Sequence, residues 1–300
     1  MQAIKCELCG NNQLIKKDGF FQCEYCGTKY TLEEARKLFV TGTVQIEGNV
    51  STKDADFVIK AGTLMKYNGE SPIVTIPDNV KIIGNECFKD LAIEKVIIPD
   101  SITTIEGGAF RNCTKLTSII IPNSVTTIEG GTFCGCTSLT SVKMPSYVTI
   151  LGGKVFDNCE SLTSIVIPNG TTTIGLDMFF GCKNLTSVTI PNSVTTIFDG
   201  AFFGCKNLAS ITIPNSVTTI GKRAFHACDK LTSVTIPKSV REVKSEAFDS
   251  PEQINVESPF DKRVFRCFPR GHYCEYCVGE MKRNFWDGRL KCTRCGKYLD

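Results

Sequence analysis

Apolar and polar residues alternate along the middle of the chain in short runs that recur at a fixed interval. In the best-formed unit Leu185, Val188 and Ile190 fall on one side of an extended run and Thr186, Ser187 and Thr189 on the other, the pattern of a short strand with one buried face. Pro191 ends that run, because proline brings no N–H to a ladder, and Asn192-Ser193 supply turn chemistry. Val194 and Ile197 then begin a second short strand. The unit closes on Ala201-Phe202-Phe203-Gly204-Cys205, whose spacing predicts a single helical turn.

The interval is regular enough to decide the architecture. Pro77, Pro99, Pro122, Pro145, Pro168, Pro191, Pro214 and Pro237 are separated by 22 residues once and then by 23 six times, and Phe88, Phe110, Phe133, Phe156, Phe179, Phe202, Phe225 and Phe248 keep the same clock. The apolar positions of one such coil cannot offset the conformational entropy of ordering its backbone, so each coil needs a neighbour. Parallel stacking satisfies both the strand hydrogen bonds and the Phe and Leu layers. The expected fold is therefore a repeat solenoid, mainly β, of about eight coils.

The unit Leu-Thr-Ser-Val-Thr-Ile-Pro-x-Ser-Val-Thr-Thr-Ile-Gly-x-x-Ala-Phe-x-x-Cys resembles the BspA-like leucine-rich repeats, and the match spans residues 55–257, with Phe57 to Gly69 similar to a first coil. The resemblance implies a right-handed coil with short parallel strands and single helical turns. It also implies a non-enzymatic adhesive or scaffolding role, often on a microbial surface.

Seventeen cysteines divide into groups with different spacings. Cys6-x-x-Cys9 and Cys23-x-x-Cys26 form two knuckles near the start, and Cys274-x-x-Cys277 and Cys292-x-x-Cys295 repeat the arrangement near the end. Four thiolates satisfy tetrahedral zinc and leave no open position for a substrate, so two structural zinc ribbons, holding two Zn ions, are predicted. The opening ribbon also resembles zinc-ribbon leaders of assorted cytoplasmic bacterial proteins. Cys267 and His272 lie just upstream of the last four and are read as non-ligands. Cys113, Cys136, Cys159, Cys182, Cys205 and Cys228 recur once per coil and read as small apolar core residues. Cys87 and Cys134 fall outside that register and are expected to be more exposed, and His226 is expected at the surface.

The domain reading is a zinc ribbon with a short helix at 1–40, a linker or edge strand at 41–54, the solenoid at 55–257 and a second ribbon at 258–300. Thr31-x-x-Glu34 is a capping box that opens the predicted helix Leu32–Phe39. The ribbons are expected to cover the edge strands of the array, which predicts a monomer.

Candidate binding positions follow from the outward strand residues. Ile97, Ile120, Lys143, Val166, Thr189, Thr212 and Thr235 occupy equivalent places, passing from an apolar stripe broken by one lysine to a threonine ladder. A contiguous face of this kind reads as a protein-binding scaffold, the alternative being that β-branched residues simply suit strands. A second reading is nucleic-acid binding by the last ribbon, where residues 261–300 hold ten Lys or Arg against five Asp or Glu and include Phe285 and Trp286. An enzyme is disfavoured, since the two histidines lie far apart and there is neither a phosphate-cradling loop nor an open metal site. The first ten residues have no apolar core and no stretch is long and apolar enough for a membrane span, so the expected compartment is the cytoplasm, with the cell surface as the alternative that the resemblance implies.

Overall fold

A computed structural model describes residues 14–17, 20–23, 29–31, 50–51, 56–249, 254–256, 281–283, 290–292 and 298–299. From 56 to 249 the chain winds through successive coils, each presenting three sides to be stacked on the next: a strand before the proline, a two-residue strand after it, and a turn segment around the phenylalanine.

The strand before the proline builds the front ladder. Its members are Ile73–Thr75, Lys95–Ile97, Ser118–Ile120, Ser141–Lys143, Ser164–Val166, Ser187–Thr189 and Val234–Ile236, with parallel pairing in register by whole coils, as in Ser164↔Ser187 and Val166↔Thr189. Val50–Ser51 joins ahead of Ile73–Val74 and Ile254–Val256 follows Val234–Ile236, while residues 41–49 and 52–54 lie outside the described residues. The side ladder runs from Ile82–Ile83 through Thr104–Ile105, Thr127–Ile128 and Ile150–Leu151, and then from Thr173–Ile174 through Thr196–Ile197 and Thr219–Ile220 to Glu242–Val243. It opens on an antiparallel hairpin, Phe57–Lys60 with Thr63–Tyr67.

The Phe segment is not helical, and there is no α-helix among the described residues. Alternate N–H groups there close overlapping four-residue turns within the coil, such as Arg111 to Gly108 O and Cys113 to Phe110 O. The interleaved N–H groups cross to the next coil: Gly108 to Gly130 O, Phe110 to Thr132 O and Asn112 to Cys134 O. This arrangement needs left-handed backbone on either side of each Phe. Charged residues such as Glu86 (φ 54°), Lys154 (φ 57°) and Arg223 (φ 54°) adopt it as well as glycines. Cooperative cross-coil bonding over-determines that conformation and offsets its steric cost.

The core is a spine of rings. From Phe88 to Phe248 successive phenylalanines stack nearly parallel with centroids 5.0–5.7 Å apart, and Tyr67 and Phe57 extend the spine toward the N-terminal side. Burial follows the expected alternation, with Leu185, Val188, Ile190, Val194 and Ile197 inside and Thr186, Ser187 and Thr189 exposed.

Toward the two ends, Leu14–Lys17, Phe20–Cys23 and Lys29–Thr31 form a three-stranded antiparallel sheet, and Met281–Arg283, Leu290–Cys292 and Tyr298–Leu299 form another. Thr31 ends a strand, and the predicted helix beyond it lies outside the described residues.

Candidate partner-binding face

The front ladder presents the positions singled out from sequence, and their surroundings differ. Val166 is 63% exposed, and Lys143, Thr189, Thr212 and Thr235 are exposed, whereas Ile97 and Ile120 are half-buried. The apolar stripe therefore thins toward its N-terminal part, and Val166 is its one prominent apolar side chain. Hydroxyls just ahead of the strands are already used: Thr140 Oγ1 donates to Thr117 O at 2.9 Å and Thr186 Oγ1 to Thr163 O at 3.0 Å, stitching each coil to the one before.

The face is not flat at its centre. A groove of about 660 Å³ crosses the coils that contain Lys143, Met144, Val166, Pro168, Thr189 and Pro191. Its walls are the last residue of each strand and the proline that ends it. Proline takes no part in the ladder, so the chain turns away there and leaves a recess. The recess is lined by apolar side chains, among them Val142, Met144, Ile165 and Ile167, together with Ser146, Ser164, Ser187 and Asn169. Three of the seven positions read from sequence, Lys143, Val166 and Thr189, thus meet in one concavity; Ile97, Ile120, Thr212 and Thr235 lie along the same face outside it. Tyr147, exposed to 53%, stands just past the groove, a bulky residue where flanking coils carry Ser124 and Ser193.

A second, more polar trough of about 440 Å³ lies on the Phe side, floored by Gly107, Gly108, Gly130 and Gly131 and flanked by Glu86, Arg111, Lys154 and Asp157. Cys134 borders it with its Sγ 3.8 Å from Asp157 Oδ2. Partial burial and then the Asp157 carboxylate push the Cys134 thiol above its ordinary range, so it is a poor nucleophile there.

The repeated cysteines do more than fill space. Each thiol donates to the carbonyl of the Phe in the preceding coil: Cys113 to Phe88 O at 3.0 Å, Cys136 to Phe110 O at 3.1 Å, Cys159 to Phe133 O at 3.2 Å, and likewise through Cys182, Cys205 and Cys228. Burial drives these thiols up, Cys136 and Cys228 to about 12 and Cys182 well above the ordinary value, so they stay protonated and able to donate. Cys87, expected to be more exposed, is buried and likewise pushed up to about 12, because its position before Phe88 faces the core. Cys134 is half-buried.

Sequence reasoning missed a second ring column one residue past the core phenylalanines. Phe180 stacks on Phe203 at 4.9 Å, and His226 follows at 5.4 Å with its Nδ1 2.8 Å from Asp249 Oδ1. His226 is thereby half-buried beside a ring and a carboxylate, not a plain surface residue. The signal was present in the 23-residue spacing of Phe180, Phe203 and His226.

Of the predicted zinc ligands, Cys23 and Cys292 each end the middle strand of a terminal sheet, and Cys6, Cys9, Cys26, Cys274, Cys277 and Cys295 lie outside the described residues, as do Phe285 and Trp286. Among the described residues no helix is long and apolar enough to cross a membrane.

Comparison with known proteins follows the same geometry. The family model for the BspA type leucine rich repeat region matches six copies over residues 65–185 and 149–262. A leucine rich cell surface protein from Faecalibacterium prausnitzii is 27% identical with a TM-score of 0.51, covering 71% of this chain and 76% of its own. Leucine-rich repeat proteins from Bacteroides ovatus (27% identity, TM-score 0.52) and Eubacterium ventriosum (29%, 0.51) match 64% and 60% of this chain and 56% and 51% of theirs. No curated protein matches the chain. The repeat, its period and these solved folds agree: the chain belongs to the BspA-type leucine-rich-repeat family.

Proposed function

We propose that this protein is a non-enzymatic scaffold that binds a protein partner through the front ladder, centred on the groove beside Val166. The observation that carries the reading is the meeting of an exposed valine, Met144, the prolines that follow three neighbouring strands and several hydroxyls in one recess. Apolar surface interleaved with hydrogen-bonding groups is how protein interfaces are built. The reading is tested by replacing Val166 with Asp and, separately, Lys222 with Asp on another side, and measuring the partner recovered with the tagged chain from its native cells. Loss with the first and not the second supports it; equal recovery from both refutes it.

We further propose that each terminal sheet is a structural zinc ribbon, held by Cys6, Cys9, Cys23 and Cys26 at one end and Cys274, Cys277, Cys292 and Cys295 at the other. In support, Cys23 and Cys292 each end the middle strand of a three-stranded antiparallel sheet, and in the sequence the second cysteine of each pair falls between that strand and the next. Cys-x-x-Cys pairs placed between antiparallel strands fit tetrahedral zinc. Metal analysis of the purified chain is expected to find two zinc per chain, and less than one overturns the assignment. Thiolate ligands favour a reducing compartment, while the surface reading is favoured by the F. prausnitzii neighbour, whose name places that protein at the cell surface. Protease treatment of intact cells separates the two: survival of the chain supports the interior, and digestion the surface.

A further inference from the structure

At one place in the array two of its three sides part together. The front ladder is interrupted between Ser141–Lys143 and Ser164–Val166, and the side ladder between Ile150–Leu151 and Thr173–Ile174. The front ladder has other interruptions, but the side ladder is continuous from Thr63–Tyr67 to Ile150–Leu151 and from Thr173–Ile174 to Glu242–Val243. Among the described residues, only at this seam do the two breaks coincide.

The sequence supplies the cause. Where the flanking coils carry Ser-Val, at Ser124-Val125 and Ser193-Val194, the two coils at the seam carry Tyr147-Val148 and Gly170-Thr171. The Tyr147 ring fills the space over residue 170, so closely that a Cβ there would lie 2.6 Å from it, and Gly170 adopts φ 86° beneath it. Thr171 places a hydroxyl, 2% exposed and without a hydrogen-bond partner, where the neighbouring coils carry Val125, Val148 and Val194. The Ser124 and Ser193 hydroxyls are likewise buried and unpartnered, so what is particular to this coil is a polar atom at the core valine position. A wedge on the outside and an unsatisfied polar atom inside both weaken this coil–coil contact.

What still joins the two halves lies mostly on the third side. The turn column keeps its full set of bonds across the seam, Lys154 to Leu176 O at 2.8 Å, Phe156 to Met178 O at 2.9 Å and Asn158 to Phe180 O at 2.7 Å, with Phe156 stacked on Phe179. Elsewhere Ser161 N–H donates to Thr137 O at 3.2 Å, Thr163 donates to Thr140 O through its N–H at 3.3 Å and its Oγ1 at 3.4 Å, and at the corner between the ladders Val148 donates to Asn169 O and Asn169 to Ser146 O. That corner is a two-bond strap. The groove beside Val166 straddles the same seam, with Lys143 and Met144 on one half and Val166 and Pro168 on the other.

We propose that the array is two stiff halves joined by a hinge at this seam, bending about the turn column so that the groove widens when the Tyr147–Asn169 strap opens. The hinge stands whether or not the groove binds a protein. A closed and an open groove are then two states whose balance any occupant of the groove shifts.

The test uses the full chain with spin labels on unnatural residues at 126 and 195, three coils apart across the seam, and at 172 and 241, three coils apart within one half. The hinge predicts a broader distance distribution for the first pair than for the second. It also predicts that Tyr147→Ser/Gly170→Ser/Thr171→Val, which restores the flanking sequence, narrows the first distribution to match the second. Hydrogen exchange adds a local readout: the Thr172 and Gly175 amides should exchange about tenfold or more faster than those of Thr195 and Phe198, while Phe156 and Asn158 stay protected. Equal label widths in the native chain, or Thr172 and Gly175 as protected as Thr195 and Phe198, overturn the hinge. Should the triple variant fail to fold, the native-chain comparison decides alone.

Discussion

Replacing Cys182 separates two accounts of the cysteine column. Its thiol is fully buried and donates to Phe156 O at 3.1 Å, a carbonyl that also accepts the Cys159 N–H at 3.1 Å. Cys182→Ala therefore does not orphan the carbonyl. It removes one modest hydrogen bond, about 0.5–1 kcal/mol, and one buried heavy atom, about 1 kcal/mol with its cavity, for a total of about 1.5–2 kcal/mol. Cys182→Val loses the donor and adds a heavy atom, leaving one lone pair unserved and a slightly larger, branched side chain in a tight layer. Cys182→Ser keeps the donor at slightly smaller size. If donation matters, Ser is the least destabilising of the three; if the thiol only fills space, Ser is the worst, because it buries a hydroxyl for no return. The assay is urea denaturation of the purified chain followed by circular dichroism, comparing midpoints at unchanged slope. Ser falling below both Ala and Val refutes the donor account.

Three further outcomes are expected. Thr171→Val removes a buried hydroxyl that has no partner and should raise stability by about 1 kcal/mol, read as a higher urea midpoint; a lower midpoint contradicts the packing described. Gly170→Ala should cost about 1–3 kcal/mol through its left-handed backbone and its contact with Tyr147, and in a double-mutant cycle Tyr147→Ser should recover part of that loss; strictly additive changes would show that the ring is not the wedge. In alkylation of the native chain, Cys134 should react first among the array cysteines, because it is half-buried, with the six repeat cysteines labelled only on unfolding; early labelling of Cys182 would contradict its raised pKa and burial.

The parts of this molecule legible in its sequence are those that repeat. A fixed interval of Pro and Phe and the alternation around Val188 specify the stacked strands and the ring spine, since every coil must satisfy the same neighbours. The Phe segment was misread as a helical turn because Ala201, Phe202 and Cys205 have spacings that serve a helix and a chain of tight turns equally. The distinguishing feature, left-handed backbone, falls on Gly or Asn in some coils, as at Gly108, Asn112 and Gly131, but on Glu86, Lys154 and Arg223 in others, residue types that carry no such signal, so the marker does not recur with the period. The groove and the seam were hidden for the opposite reason. They arise from departures at Tyr147, Gly170 and Thr171, each unremarkable in a variable repeat, and only their placement on adjoining coils gives them a joint effect. Outward position likewise did not equal exposure: Ile97 and Ile120 share a register with Val166 and yet are half-buried.

The claim that the front ladder is the recognition surface is tested most directly by photo-cross-linking in the native cells, with p-benzoylphenylalanine placed in turn at 166, 189 and 222. All three positions are exposed, the first two on the groove and the third on another side. The expected result is a discrete protein adduct from 166 and 189 and none from 222. An adduct from 222 alone, or equally from all three, would place recognition elsewhere on the molecule.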